Sequence, residues 1–244
     1  MSDKRSAYFA HARLIRGTRY EARLRHQMHF LYDRIDFLGK RVLDIGGGSG
    51  QHALYAAVSG ASSVVMLEPE SDGGHAEMQT RFEQWRSAIG ADNTTLIDTT
   101  VQEFVDRGPG YDIILIQDAI NHFDEPACIQ LRHSAASRAA YQTIFSIISR
   151  LVVAGGQLML ADCSSHNLFP RLGLRNPVDP SIEWHKHQPP EIWVELAREG
   201  GFVPERTRWS APARLGALGQ RVLGNRVAAY CFTSHFVIDL LKAR

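Results

Sequence analysis

Val42-Leu43-Asp44-Ile45-Gly46-Gly47-Gly48-Ser49-Gly50 joins an apolar run to an acid and then to glycines at the alternate positions 46, 48 and 50. The order reads as a strand, a tight turn and the start of a helix. Glycines there let a ligand lie against bare backbone, because they carry no Cβ and take positive φ. Their spacing narrows the ligand. A dinucleotide fingerprint needs glycine at 46, 48 and 51, the last for close helix packing, and position 51 is Gln51. A Walker-type phosphate loop is excluded because no Gly-Lys-Ser/Thr follows. What remains is a turn suited to a nucleoside without a phosphate chain, with a purely structural strand–turn–helix still open for so short a motif.

Working outward, Val64-Val65-Met66-Leu67-Glu68, followed by Pro69, is an apolar run ending in an acid. It lies at about the twenty-residue spacing of a ribose-binding carboxylate in a βαβ unit. A carboxylate accepts charge-assisted bonds from both ribose hydroxyls. A solvated acid at a strand end is the alternative. Tyr111-Asp112-Ile113-Ile114-Leu115-Ile116-Gln117-Asp118-Ala119-Ile120-Asn121-His122-Phe123 forms a third landmark. It places Gln117, Asp118, Asn121 and His122 at the carboxyl end of a buried strand, where parallel sheets bind ligands.

The glycine segment resembles motif I of the class I S-adenosylmethionine-dependent methyltransferases, and the stretch 111–123 resembles the fourth-strand segment of that family. The resemblance covers about residues 38–165 through motifs and the remainder through the order of elements. It implies a Rossmann-like α/β fold: a doubly wound, seven-stranded, mostly parallel sheet with an antiparallel last strand. It also implies S-adenosyl-L-methionine as cofactor, held by Asp44, Gly46, Gly47, Gly48, Gly50, Glu68, Pro69, Thr100, Val101, Gln117 and Asp118. Thr100 departs from the acid common at that place in the family, so the Val101 backbone or Gln102 would replace it on the adenine side. The Asn/Asp-Pro-Pro-Tyr/Phe pattern of enzymes that methylate planar amino groups is missing from 117–123. The stretch looks more like the small-molecule methyltransferases that carry an aliphatic pair and a histidine here, which implies a small-molecule acceptor, and the histidines around the expected site favour a hydroxyl before a carbon or nitrogen of a metabolite or sugar.

The chain has 244 residues, enough for one α/β domain with a substantial core. We expect a single methyltransferase domain over 1–244, with an N-terminal helical cap at 1–38, a cofactor-binding core at 39–165 and a substrate-side, sheet-closing region at 166–244. The net charge of +1 predicts no general attraction to nucleic acid or membranes. No apolar leader or spanning segment stands out, which predicts a cytoplasmic protein. Cys128, Cys163 and Cys231 are odd in number, widely spaced and read as reduced thiols. A homodimer stays open.

Apolar runs at 41–45, 63–67, 94–98, 112–116 and 157–161 alternate with helical spacing, the pattern of a parallel sheet covered on both faces. Helices are expected over 6–38 with a break at Gly17, over 75–89, over 129–153 up to Ala154-Gly155-Gly156, and from Pro190 to Arg198. Late strands are expected near 202–209 and 228–238. Periodicity alone also fits a dehydrogenase.

Three histidines are candidates for catalysis, with no metal assigned: His122, and His185 and His187 in Glu183-Trp184-His185-Lys186-His187-Gln188-Pro189-Pro190. An extended segment would put His185 and His187 on one face. Imidazole titrates near neutrality and can take a proton from an attacking hydroxyl. A metal would need a third ligand such as Asp162 or His166, since the local spacing supplies half a site. Asp162 itself reads more readily as a loop acid. Tyr8, Phe9, Arg16, Arg19 and Tyr20 are placed to close over the cofactor, against the alternative of a plain surface helix. Arg206, Arg208, Arg214, Arg221 and Arg226 suit an acidic or phosphorylated acceptor if they are not simply solvated. A nicotinamide-dependent oxidoreductase and a non-catalytic nucleoside-binding scaffold remain as rivals.

Overall fold

Gly17, at φ 83°, splits the first helical stretch into α1 (Ser2–Arg16) and α2 (Thr18–Tyr32). This computed structural model describes residues 2–69 and 75–244. The chain continues through β1 (Arg41–Ile45), α3 (Gln51–Val58), β2 (Ser63–Leu67), α4 (His75–Ile89), β3 (Thr94–Ile97) and β4 (Tyr111–Gln117). Then follow α5 (Glu125–Gln130), α6 (Ala135–Leu151), β5 (Val152–Cys163), α7 (Leu168–Arg171), α8 (Pro190–Glu199), β6 (Phe202–Trp209), α9 (Gly216–Leu223), α10 (Arg226–Cys231) and β7 (His235–Lys242). Short 3₁₀ turns lie at Ile120–His122, Trp184–Lys186 and Ala213–Leu215. The seven-stranded sheet has the order β3-β2-β1-β4-β5-β7-β6, the Rossmann-like arrangement expected, with β7 antiparallel to β5 and β6.

The chain divides into two compact units, Met1–Ile116 and Gln117–Arg244. In the first, β2 is paired in parallel with β1 and β3, and β1 with β4. Val42, Leu43, Asp44 and Ile45 are all buried, as the unbroken apolar run requires of a strand covered on both faces. α1 packs on α2, α3 and α4 through an aromatic cluster. Tyr8 stacks on Trp85 at 4.9 Å between centroids and meets Phe9 and Tyr55 edge-on. Phe9 lies under the Arg25 guanidinium at 3.9 Å. Tyr8 and Phe9 are thus core residues and not a lid, because their rings fill the space between helices.

In the second unit β5, β7 and β6 form an antiparallel group. Trp193 of α8 is fully buried against Tyr141 and Phe145 of α6. Asp239 of β7 accepts from Arg206 and Arg208 of β6, each at 2.8 Å, so these two arginines hold strands together.

Three expectations need correction. The helical stretch expected over 6–38 ends at Tyr32, and residues 33–40 are turn and irregular chain. The helix anticipated over 129–153 is two helices, and Gly155 and Gly156 lie inside β5, which runs well beyond 157–161 at both ends. The helix does end ahead of the glycines, at Leu151, but the strand starts at once, and Gly155 takes φ 76° within it. The last strand is 235–242 and not 228–238. Asn225 caps α10 by accepting from the Ala228 N–H at 3.0 Å, and alanines then favour helix over strand. Among the described residues no helix is long and apolar enough to cross a membrane.

His52 of α3 is buried, with Nδ1 2.8 Å from the Tyr32 hydroxyl. Burial lowers its pKa from 6.5 to about 4. Its folded value lies below the unfolded one, so the associated stability is fully present above pH 6.5 and is lost as pH falls towards 4. Relative to His52→Gln, the wild type should lose about 3 kcal/mol over that window, at 1.36 kcal/mol per pKa unit. Urea denaturation midpoints of both proteins across the window check this. Parallel pH profiles would place the ring in a solvated state.

Candidate functional site

The glycine turn closes by backbone bonds: Gly46 and Gly47 donate to the Leu67 carbonyl at 2.8 and 3.3 Å, and Gly50 donates to Gly47 at 2.9 Å. Gly46, Gly48 and Gly50 take φ of 74°, 54° and 80°, which accounts for their alternation. Gly47 has a different reason to be glycine. A Cβ there would lie 2.4 Å from Met66 Cγ and 2.8 Å from Asp44 Oδ2. At Gly48 an added Cβ would meet nothing within 4 Å, so this side of the turn is open. Glu68 Oε2 accepts the Gly48 N–H at 2.8 Å, which brings the expected ribose acid onto the turn.

Gln51, the position that breaks the dinucleotide pattern, ties the turn to the N-terminal helices. Its Oε1 accepts from the Tyr20 hydroxyl at 3.0 Å, and its carbonyl accepts from Tyr8 at 2.9 Å. Of the five N-terminal residues expected over the cofactor, Tyr20 and Tyr8 therefore reach the turn, and Arg16 lies over the Tyr20 ring.

Asp44 is the electrostatic anomaly of this unit. In register it lies between Met66 and Leu115, fully buried, and neither carboxylate oxygen closes a hydrogen bond among the described residues. Burial pushes its pKa up to about 7; the Ala53 N–H works against that rise without completing a bond of ordinary geometry, and the Glu68 charge adds to it. An unpaired buried acid beside an open glycine cradle fits a ligand carrying cationic and hydroxyl groups. On the same unit, the Thr100 hydroxyl bonds Glu103 at 3.1 Å and caps a turn, and Val101 is buried. Pro69 follows Glu68 on the exposed side.

Gln117 and Asp118 belong to the second unit. Asp118 is a non-glycine residue at φ 51°, a conformation that costs about 1 kcal/mol or more and clusters at functional sites. Its N–H donates to Ala161 at 2.9 Å, and its Oδ2 accepts from Gln117 Nε2 at 2.7 Å, leaving Gln117 Oε1 buried without a partner among the described residues.

The three histidines part company. His122 is exposed beside Glu125, with Nδ1 3.3 Å from Oε2. The segment 184–186 is a 3₁₀ turn, not an extended strand, so His185 points to solvent and does not share a face with His187. Pro189 and Pro190, both buried ahead of α8, set where the chain must re-enter, and the turn is pinned to α5. Lys186 Nζ is 3.0 Å from Glu125, Cys128 Sγ donates to the Lys186 carbonyl at 3.3 Å, and Gln188 Nε2 donates to the Cys128 carbonyl at 2.7 Å.

That anchoring turns His187 inward. Its Nδ1 is 3.0 Å from Oδ1 of Asp162, which also accepts the Cys163 N–H at 2.7 Å, while Asp162 Oδ2 is buried and unpartnered among the described residues. Burial holds Asp162 above the usual carboxylate range despite the His187 bond. Burial also opposes the His187 imidazolium, but the Asp162 bond, with the charges of Asp118 and Glu183, still lifts His187 above its ordinary value. Asp162, read from the sequence as a loop acid, is the partner that orients a histidine. Its position at the end of the fifth strand was the available signal. Gln188 and Cys128 carried none.

Of the five basic residues at 206–226, Arg206 and Arg208 hold Asp239 and Arg226 pairs with Glu191 at 2.8 Å. Only Arg214 and Arg221 among them have no ion pair among the described residues. All three cysteines are free thiols.

A family model described as a methyltransferase domain matches residues 16–206. Solved structures share the fold at low identity. A proposed S-adenosylmethionine-dependent methyltransferase from Listeria monocytogenes has 16% identity and a TM-score of 0.63, covering 91% of this chain and 99% of that one. One from Mesorhizobium loti has 14% identity and a TM-score of 0.56, over 85% and 93%. Magnesium protoporphyrin IX methyltransferase from Synechocystis PCC 6803, with bound SAH, has 15% identity and a TM-score of 0.57, over 90% and 82%. No curated protein sequence is a match.

Asp44→Asn tests the buried acid. A folded pKa raised above the unfolded 3.8 means that ionised Asp44 destabilises the protein increasingly as pH rises through about 7. Without added ligand, the variant should be more stable than wild type at pH 8, by up to about 4 kcal/mol, with the gain fading towards pH 4. Guanidinium denaturation of both proteins at the two pH values measures it. A variant less stable at pH 8 would mean that the carboxylate is well solvated or paired.

Proposed function

The chain belongs to the methyltransferase-domain family, and from that premise we propose that it is an S-adenosylmethionine-dependent enzyme transferring a methyl group to a hydroxyl of a small molecule. The bound cofactor supplies a sulfonium methyl that is electrophilic without further activation. The chain's own residues have three tasks. Glu68 and the Gly46–Gly50 turn hold the nucleoside, the carboxylate taking the ribose hydroxyls and bare backbone admitting the base side. Asp44, buried and unpaired, offsets the cofactor's positive charge. Most of the rate comes from orientation, which supplies about 7–11 kcal/mol in well-aligned systems.

The third task decides between acceptors, and the Asp162–His187 pair is the observation that carries the hydroxyl reading. Asp162 fixes the ring through Nδ1, and Nε2 is the nitrogen that takes the hydroxyl proton as the new C–O bond forms. A free amine attacks through its own lone pair, so a base held in this way favours the hydroxyl. Asp162 Oδ2, Gln117 Oε1 and Asn121 Oδ1 are buried acceptors without partners among the described residues, which favours a polar acceptor able to donate to them. In this proposal His187 is the base and His122 and His185 are surface groups. The helical cap, cofactor core and sheet-closing regions keep the roles assigned from the sequence. A cytoplasmic setting is supported by the three free thiols.

Titration calorimetry with S-adenosylhomocysteine tests the nucleoside site. Glu68→Ala should weaken binding about 10–100-fold, the worth of a charged hydrogen bond. Gly48→Val should nearly abolish it, since a branched side chain enters the open side of the turn. Unchanged affinity in both variants would sink this assignment.

For the base, His187→Ala should lower turnover of a hydroxyl acceptor by about 10²–10⁴-fold and leave S-adenosylhomocysteine affinity nearly unchanged. The wild-type rate should rise with pH through an apparent pKa above the ordinary imidazole value, because the base works unprotonated and Asp162 raises it. Asp162→Asn should move that limb towards lower pH and slow the plateau. An unmoved pH–rate profile in both variants would remove His187 from the chemistry.

A further inference from the structure

Between Arg206 and Ile238 the chain contains no aspartate or glutamate, yet it carries five arginines. α9 lies in the middle of this stretch. One side faces inward through Gln220, whose Nε2 donates to the Trp209 carbonyl at 2.8 Å and whose Oε1 accepts the Ala211 N–H at 2.9 Å. By helix geometry the opposite side carries Leu218 and Val222, four residues apart, with Arg221 beside them. These residues face water: Leu218 is 74% exposed and Val222 63%, and Leu215 in the preceding turn is 50% exposed. Arg214 and Arg221 are also exposed.

An outward face that is apolar in its middle and cationic at its margin has the composition of a helix lying in a membrane interface. We propose that α9 docks this protein on bilayers containing anionic lipid, with Leu218 and Val222 entering the acyl boundary and Arg214 and Arg221 pairing with lipid phosphates. The near-neutral net charge expected to prevent such attraction is a sum over the chain and does not describe this face. Charge complementarity selects the occupant. A second copy of the chain would bring arginines against arginines with no acid in the stretch to offset them. One eight-residue helix also presents far less than the roughly 800 Å² per partner of a stable protein interface. Single-helix docking to a bilayer needs no such area, because two weak attractions act together. Each arginine near an anionic surface contributes about a fivefold gain in partition. This proposal is independent of the acceptor chemistry above.

Co-sedimentation of the full chain with vesicles tests it. Binding should be clear with phosphatidylcholine vesicles containing phosphatidylglycerol, weak with phosphatidylcholine alone, and diminished by added salt. Arg214→Ala with Arg221→Ala should lower the partition coefficient about 25-fold, and Leu218→Ser with Val222→Ser by about tenfold or more. Both pairs are surface changes, and S-adenosylhomocysteine affinity should stay at the wild-type value, which shows that the variants remain folded. Equal binding to both vesicle types, no binding to either, or wild-type binding by both variants would overturn the proposal. So would a wild-type dimer in analytical ultracentrifugation that Leu218→Ser with Val222→Ser converts to monomer, since the face would then belong to a second copy.

Discussion

The first unit is organised around a carboxylate that the fold buries with no hydrogen bond of ordinary geometry among the described residues. Asp44 sits at the fourth position of a five-residue strand, flanked in register by Met66 and Leu115. Moving that position outward would expose Val42, Leu43 and Ile45, so the strand cannot release the acid to water without losing its own core. The turn that follows must then leave room above it. Gly47 does so by having no Cβ to strike Met66 or Asp44, and Gly50 by having none to strike Phe82. Four glycines therefore answer different demands, three of backbone conformation and two of space, with Gly50 meeting both.

A buried unpaired acid is a stability cost retained at a place where stability could easily be improved, the usual mark of a site selected for something other than stability. The second unit repeats the device with a different resolution. Asp162 is as buried as Asp44 and at the end of its own strand, but a histidine is turned onto it. Its second oxygen remains without a partner. One acid is left for a ligand to satisfy, and the other is half satisfied by a side chain that can itself move a proton. The two carboxylates thus differ in how much of each the protein answers internally.

Strands β1 and β2, helix α4 and the helix from Pro190 were legible because each is bounded by residues with a single local meaning: glycine after β1, an acid after β2, paired prolines before α8. The misread elements are those where a local signal met a tertiary demand. Gly155 and Gly156 look like a helix stop, and α6 does end before them, but the backbone turns extended from Val152 and takes them into β5. The stretch 228–238 is apolar enough for a strand, and only the cap at Asn225 divides it into helix and strand. His185 and His187 alternate in sequence as an extended segment would require. The anchors that wind the chain between them, Glu125 and Cys128, lie about sixty residues away, beyond the reach of any local pattern. Gln51 was informative as a departure, excluding one ligand class, and its positive role as the acceptor for two tyrosines needed the helices to be in place.

The arginines near the C-terminus show why charge has to be read by position. Five of one residue type within twenty-one positions suggested one function, and the fold separates them by periodicity. On β6, residues 206 and 208 point to the same face by the two-residue repeat and meet Asp239 together, so that one carboxylate holds both as strand clamps. Arg226 opens α10 and finds Glu191. Arg214 lies in the 3₁₀ turn ahead of α9 and Arg221 lies within the helix, and both face solvent. With no acid in the stretch to pair with them, those two cations are left beside exposed apolar side chains. A face assembled this way is invisible in a net charge of +1, which sums over the whole chain and does not record where the two outward cations lie.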